Sequence, residues 1–154
     1  MILLQIRDWL LRESVVFREV HHEPTRTSEE SARARGEELR IGGKALLIKV
    51  DADFRLFVLS AERKLDSAAI RTHFNAKKTR FASPEELMEL TGLVPGSVPP
   101  FGPPVLPFPL YVDPSVFENE RIAFNAGSLT DSIIMGIGDY RRLANPEIFT
   151  FAAL

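Results

Sequence analysis

Apolar residues at the start of the chain recur at helical spacing. Leu3, Leu4, Ile6, Leu10 and Leu11 follow a 3.6-residue period and predict an amphipathic helix over residues 2–13. Residues 15–21 (VVFREVH) open with β-branched side chains and read as a strand, with HHEPTR after it as a loop. Thr27 followed three residues later by Glu30 forms a capping box, and Gly36 closes the helix it opens. The clearest signal is a hairpin of 44–50 (KALLIKV) and 54–60 (FRLFVLS) around an Asp51-Ala52-Asp53 turn. Asp66 caps a helix running to about His73, and Thr79–Ala82 reads as a short strand. Ser83, Pro84 and Glu86 supply the N-cap, first-turn proline and third-position acid of a helix ending at Gly92.

Residues 95–109 hold seven prolines and two glycines, which excludes a helix or central strand there. Strands are expected to resume at 109–113, 121–125 and 132–137. A helix follows at 139–144, ending before Asn145-Pro146, and a terminal strand at 147–151. Gly136-Ile137-Gly138 lacks the rest of a dinucleotide fingerprint and reads as a helix entry. Strands and helices intermix, so the predicted class is α+β, a mixed β-sheet with packed helices. With no repeat, low-complexity tract or shift in composition, residues 1–154 read as a single domain.

Hydrophobic residues make up 45% and charged residues 26%, ordinary globular usage. The absence of cysteine excludes a disulfide framework, a thiolate nucleophile and cysteine-ligated zinc, and it suits a reducing cytoplasm. Arg7, Asp8 and Arg12 interrupt the apolar start, so neither a signal peptide nor a membrane span is expected. A net charge of −2 creates no global attraction to nucleic acid, so any RNA contact needs a local patch. One such stretch lies between positions 63 and 80, where Arg63, Lys64, Arg71, Lys77, Lys78 and Arg80 face the single acid Asp66. It could meet phosphates, or it could be a solvated face.

Three segments are candidates for chemistry. Lys44 sits where Gly42-Gly43 feeds an apolar strand, able to orient a phosphate or ester or to donate to an oxyanion. The plain alternative is a solvated lysine at a strand end. Lys49, five positions on, falls on the opposite face and reads as surface. The loop Pro95-Gly96-Ser97-Val98-Pro99-Pro100-Phe101-Gly102-Pro103-Pro104 could present backbone N–H groups to a carbonyl oxygen with little reorganisation, or be a rigid crossover without a ligand. Phe124-Asn125-Ala126-Gly127-Ser128-Leu129-Thr130-Asp131 ends a strand in a polar turn, which could hydrogen-bond a ligand or simply be a turn. His21, His22 and His73 have no matching serine or acid pattern. No metalloprotease, nucleotide-phosphate or nucleophile-elbow motif occurs.

Together these segments resemble the YbaK/prolyl-tRNA-synthetase-associated editing domain family. Gly42-Gly43-Lys44-Ala45-Leu46-Leu47-Ile48-Lys49 is similar to its lysine-bearing strand, and Gly96-Ser97-Val98-Pro99-Pro100-Phe101-Gly102 to its G-x-x-x-P-(F/L)-G loop. Asn75 to Leu87 is similar to its A-K-K…P-E-E-L stretch in the same order and spacing. The resemblance implies a trans-acting deacylase for mischarged aminoacyl-tRNA that uses no metal, no cofactor and no covalent nucleophile. Lys44 would hold the terminal phosphate and adenosine, and Gly96 with Ser97, Val98, Pro99 and Pro100 the aminoacyl carbonyl. Phe101 and Gly102 would complete that substrate loop. A water would attack, helped by a ribose hydroxyl. Arg63, Lys64, Lys77, Lys78 and Arg80 would contact tRNA phosphates, with a synthetase as a further partner and the cytoplasm as location.

Members specific for alanyl-tRNA for proline often carry Phe-His-Pro where this chain has Phe124-Asn125-Ala126. Asn125, Gly127, Ser128 and Asp131 are therefore expected to form the amino-acid pocket, with Val20 and His22 opposite. Two other classes stay open on the residues alone. One is a non-catalytic module binding aminoacyl-tRNA or aminoacyl-adenylate for a synthetase, and the other a structural protein using the proline-rich loop. The decisive geometric expectation is that Lys44 and the glycine–proline loop face each other across one crevice.

Overall fold

A computed structural model describes residues 1–154. The first helix, α1 (Ile2–Arg12), buries the narrow stripe Leu3, Ile6 and Leu10, while Leu4 and Leu11 of the expected face are exposed. Ser14 then turns the chain through a positive φ of 56°, so the first strand, β1 (Phe17–His21), starts two residues later than the pattern suggests. Helix α2 (Ser28–Arg35) has the expected reciprocal capping box of Thr27 and Glu30 and ends at Gly36 with φ 68°.

The hairpin of β2 (Gly43–Val50) and β3 (Asp53–Ser60) is antiparallel in the register Gly43↔Ser60 to Val50↔Asp53. Its tight turn puts Asp51 at φ 51°, and the Asp51 carboxylate accepts the N–H groups of Lys77 and Lys78 at 3.0 and 3.1 Å. The chain continues through β4 (Lys64–Leu65), α3 (Ser67–Phe74), β5 (Thr79–Phe81) and α4 (Pro84–Thr91). After the proline-rich segment come β6 (Leu110–Val112), β7 (Arg121–Asn125), β8 (Asp131–Gly136) and α5 (Ile137–Ala144), then β9 (Glu147–Ile148) and β10 (Ala152–Ala153). Gly136 is the helix entry that the sequence predicts.

The strands do not form one sheet. A five-stranded mixed sheet has the order β5-β2-β3-β6-β9, with β3, β6 and β9 parallel, beside an antiparallel sheet β1-β8-β7 and a ribbon β10-β4. A parallel bridge from Gly42 to Ala123 joins the two larger sheets just before Lys44. The expected strand at 147–151 is broken in two. The buried carboxylate of Asp113 accepts the N–H groups of Phe151 (2.8 Å) and Ala152 (3.0 Å), drawing the chain off the sheet edge after Ile148.

Strand alternation divides the core. Leu47, Leu56 and Val58 face Ile122, Phe124, Ile133 and Met135 of the three-stranded sheet, with α1 and the proline-rich segment closing that layer. Ile48, Phe57 and Leu59 face Ile70 of α3 and Phe151 on the other side. Phe101 is fully buried, its ring edge-on to Trp9 (5.3 Å), Phe124 (5.5 Å) and Tyr140 (5.3 Å). No helix is long and apolar enough to cross a membrane.

Candidate active site

A cavity of about 210 Å³ opens between the start of β2, the N-terminal turn of α2 and the proline-rich loop. Lys44, Gly96, Val98 and Asn125 all line it, so the lysine and the glycine–proline loop do share one crevice. A close approach brings the two sheets together beside the cavity. A Cβ on Gly43 would come within 2.6 Å of Ile122, so only glycine lets β2 lie this tightly on the second sheet. Strand β5 pairs only with Ile48–Val50, and the Leu47 carbonyl accepts from Ala82 N–H at 2.9 Å. Alternation therefore turns the N–H and C=O of Ala45 to the same side, where no strand covers them.

The loop is held from three directions. Tyr140 donates its hydroxyl to the Pro100 carbonyl (2.7 Å), Gln5 of α1 donates to the Pro104 carbonyl (2.9 Å), and Asn125 Nδ2 donates to the Gly96 carbonyl (2.8 Å). Burial pushes the Tyr140 phenol well above its usual range, so it remains a donor. Gly96 has φ +89°, a conformation that suits glycine. Neither Gly96 nor Val98 engages its backbone N–H within the protein. Both donors border the cavity that Lys44 enters.

The floor is polar: Asn125 and, behind it, His22 stand among the expected pocket residues, whereas Arg35 and Ser132 lie outside the segments that the sequence singles out. Arg35, 8% exposed, directs Nε to Ser132 Oγ (2.9 Å) and Nη2 to Asn125 Oδ1 (3.1 Å). Ser132 Oγ also lies 2.8 Å from His22 Nε2, whose other ring nitrogen donates to the Glu23 carbonyl (2.8 Å). The sequence offered only a basic residue in the last turn of a helix, which is ordinary helix chemistry. Nothing in its spacing marks Arg35 as buried while Arg33 is exposed.

Several expected residues lie elsewhere. Phe101 and Gly102 belong to the core: a Cβ at Gly102 would meet the Phe108 carbonyl at 2.7 Å. Ser97, Pro99 and Pro100 are buried supports of the loop, Ser97 accepting from Gly127 N–H through its carbonyl (3.0 Å). Gly127 packs on Ile2 instead of entering the cavity. Ser128 and Thr130 donate to Asp131 (2.8 and 2.9 Å), and His21 lies 2.8 Å from the same carboxylate, forming a separate cluster. Burial pushes the Asp131 carboxyl up, but these hydrogen bonds outweigh it and hold it below its ordinary value. Val20 packs on the outer face of the small sheet beside Ile41, Ala123 and Ile134.

The basic stretch is also divided. Arg63 pairs with Glu118 (3.1 Å), and Arg80 grips Glu86 through two hydrogen bonds of 2.7 and 3.0 Å. Lys64, Lys77 and Lys78 form no ion pair. Lys49 is half-buried, not a plain surface residue, with its ammonium 5.6 Å from the Phe54 ring centroid. Together with Asp51, Thr79, Lys78 and Arg80 it lines a second cavity of about 180 Å³.

Comparison with known proteins identifies the family. The family model described as "Aminoacyl-tRNA editing domain" matches residues 22–143. The multifunctional Ser/Thr-tRNA deacylase ProXp-y of Escherichia coli is 39% identical over 148 residues, covering 92% of this chain and 87% of the relative. A proline–tRNA ligase of Shouchella clausii is 36% identical over 101 residues, 66% of this chain and 18% of the ligase. A crystal structure of a candidate trans-editing enzyme for prolyl tRNA synthetase superposes with a TM-score of 0.84 over 99% of this chain and 97% of that one, at 24% identity, a match of fold. With the family model spanning the crevice from His22 through Lys44, Gly96 and Asn125, this chain belongs to the aminoacyl-tRNA editing domain family.

Proposed function

We propose that this chain hydrolyses the ester of mischarged aminoacyl-tRNA, with seryl and threonyl esters as its main substrates. The observation that carries the reading is one crevice in which an unpaired lysine and two unengaged backbone N–H groups converge without a single lining carboxylate. Such a site attracts a phosphate-linked substrate and offers donors to a developing oxyanion. An aminoacyl ester is already activated, so holding it still beside water and a neighbouring ribose hydroxyl suffices for much of the rate. Lys44 holds the terminal phosphate and adenosine, and Gly96 with Val98 receives the carbonyl. Asn125, which lines the cavity with Arg35 beside it, suits a small hydroxylated side chain. The resemblance to part of a proline–tRNA ligase supports a prolyl-tRNA synthetase as partner, in the cytoplasm.

The test is deacylation of alanyl-, cysteinyl-, seryl- and threonyl-tRNA by the purified chain. Seryl- and threonyl-tRNA should be cleared fastest. Hydrolysis of none of the four would end the reading, and tight binding without turnover would favour a binding module in its place.

The free lysines make a separate expectation. If Lys77 and Lys78 contact tRNA phosphates, replacing both with alanine flattens the dependence of log affinity on log salt by about 0.7–0.9 per lysine. An unchanged slope in filter-binding titrations would place the tRNA backbone elsewhere.

A further inference from the structure

The Arg35 guanidinium is buried without a counter-ion. Its two protein hydrogen bonds go to neutral oxygens, Ser132 Oγ and Asn125 Oδ1, and no carboxylate lies within 4 Å. Glu37, the one acid whose charge favours this guanidinium, makes no ion pair with it and is held by Arg18 and Arg121 at 2.8 Å each. The third nitrogen, Nη1, has no partner in the protein and opens to the solvent of the crevice that Arg35 lines. It points toward Gly42, where an added Cβ would sit 3.7 Å away. Burial lowers the guanidinium pKa to about 10, which leaves it protonated at neutral pH. A charge largely removed from water and held only by neutral oxygens is costly to keep. A complementary negative charge in the crevice offsets that cost.

We infer that Arg35 donates its free Nη1 N–H to the scissile carbonyl oxygen as that oxygen becomes negatively charged, an inference that rests on the deacylase reading above. Two observations favour the carbonyl over a phosphate. Lys44 is exposed and open to a hydrated phosphate, whereas Arg35 is buried in the wall of the same cavity. Arg35 is also linked through Asn125 to the Gly96 carbonyl, in the same loop as the two free N–H groups (Asn125 Nδ2 to Gly96 O, 2.8 Å). In the step itself, water forms a C–O bond to the ester carbon and the carbonyl π pair moves onto oxygen. Collapse of this adduct breaks the bond to the ribose oxygen, which leaves with the proton that water gives up. Arg35 gives up no proton; it stabilises the oxyanion from a guanidinium already fixed by Ser132 and Asn125, so little reorganisation is needed as the charge develops.

The experiment compares wild type with Arg35→Gln and Arg35→Lys in single-turnover deacylation and in binding of two adenosine conjugates. One is a neutral 3′-aminoacyl amide, and the other an anionic tetrahedral phosphonate. Arg35→Gln should slow the reaction about a hundredfold and weaken the phosphonate by a similar factor, with amide affinity within about twofold of wild type. Arg35→Lys should recover part of both losses. Equal weakening of the two conjugates would make Arg35 a structural residue, and a full rate in Arg35→Gln would remove it from the reaction. Should the variants not fold, the ¹⁵N-labelled Arg35 side-chain signals of wild type decide the matter: they shift with the phosphonate and not with the amide, or the inference fails. A wild type that deacylates nothing defeats the deacylase reading itself, a result distinct from any of these.

Discussion

Lys44→Ala is expected to lower the single-turnover rate of deacylation by roughly 10²–10³-fold while leaving the fold intact. The side chain is exposed, enters no ion pair and contributes nothing to the buried core. Its loss should therefore change unfolding free energy by no more than about 0.5 kcal/mol. What it removes is the charge that anchors the 3′ end beside Gly96 and Val98. A displacement of about 1 Å at the reacting centre can cost on the order of 10²-fold even when binding survives. Quench assays at saturating protein, beside urea melts of the same preparation, separate the two effects. Lys44→Arg should not restore the full rate, because a planar fork is not a compact ammonium. An unchanged rate in Lys44→Ala would take this residue out of the mechanism.

Phe101→Ala is expected to destabilise the protein by about 3–5 kcal/mol, the range for removing a fully buried aromatic ring. Total stabilities of about 5–15 kcal/mol make that a severe loss. The ring is packed edge-on against Trp9 of α1, Phe124 of β7 and Tyr140 of α5, so its removal loosens three elements at one point. The same three elements fix the loop that carries Gly96, and activity should fall faster with temperature than in wild type. Denaturant melts give the answer directly. A stability close to wild type, with substrate affinity lost, would return Phe101 to the substrate-binding role that its motif suggests.

The two variants mark what was legible in the sequence. Lys44 could be read because a glycine pair before an apolar strand is an unusual setting for a cation, and the loop because prolines and glycines of that density leave few conformations. Phe101 and Gly102 read as ligand contacts in the sequence because they stand in the same motif as Gly96. The motif records the whole device, including the residues that only hold it. Motif position does not separate contact from support; packing does. The basic stretch shows a related limit of reading residues one by one. Arg63 and Arg80 looked like free cations, but Glu118 and Glu86 fold back onto them. The Glu86 carboxyl is drawn down to about 2, by the Arg80 guanidinium first and the Ser83 N–H second.

Local rules settled the elements. Periodicity, capping boxes and turn residues act within a few positions, and they placed α2, the β2–β3 hairpin and α4 from the chain alone. The presence of Lys44 and the stiff glycine–proline segment, and with them the family, was determined there as well. Only the tertiary structure decided that the strands divide between two sheets, that Asp113 breaks the last strand, and that Arg35 turns inward to meet Asn125 and Ser132, some ninety residues away. The physical reason is range: hydrogen bonds and burial between distant segments depend on where the chain has already been brought, and no short window of sequence contains that information.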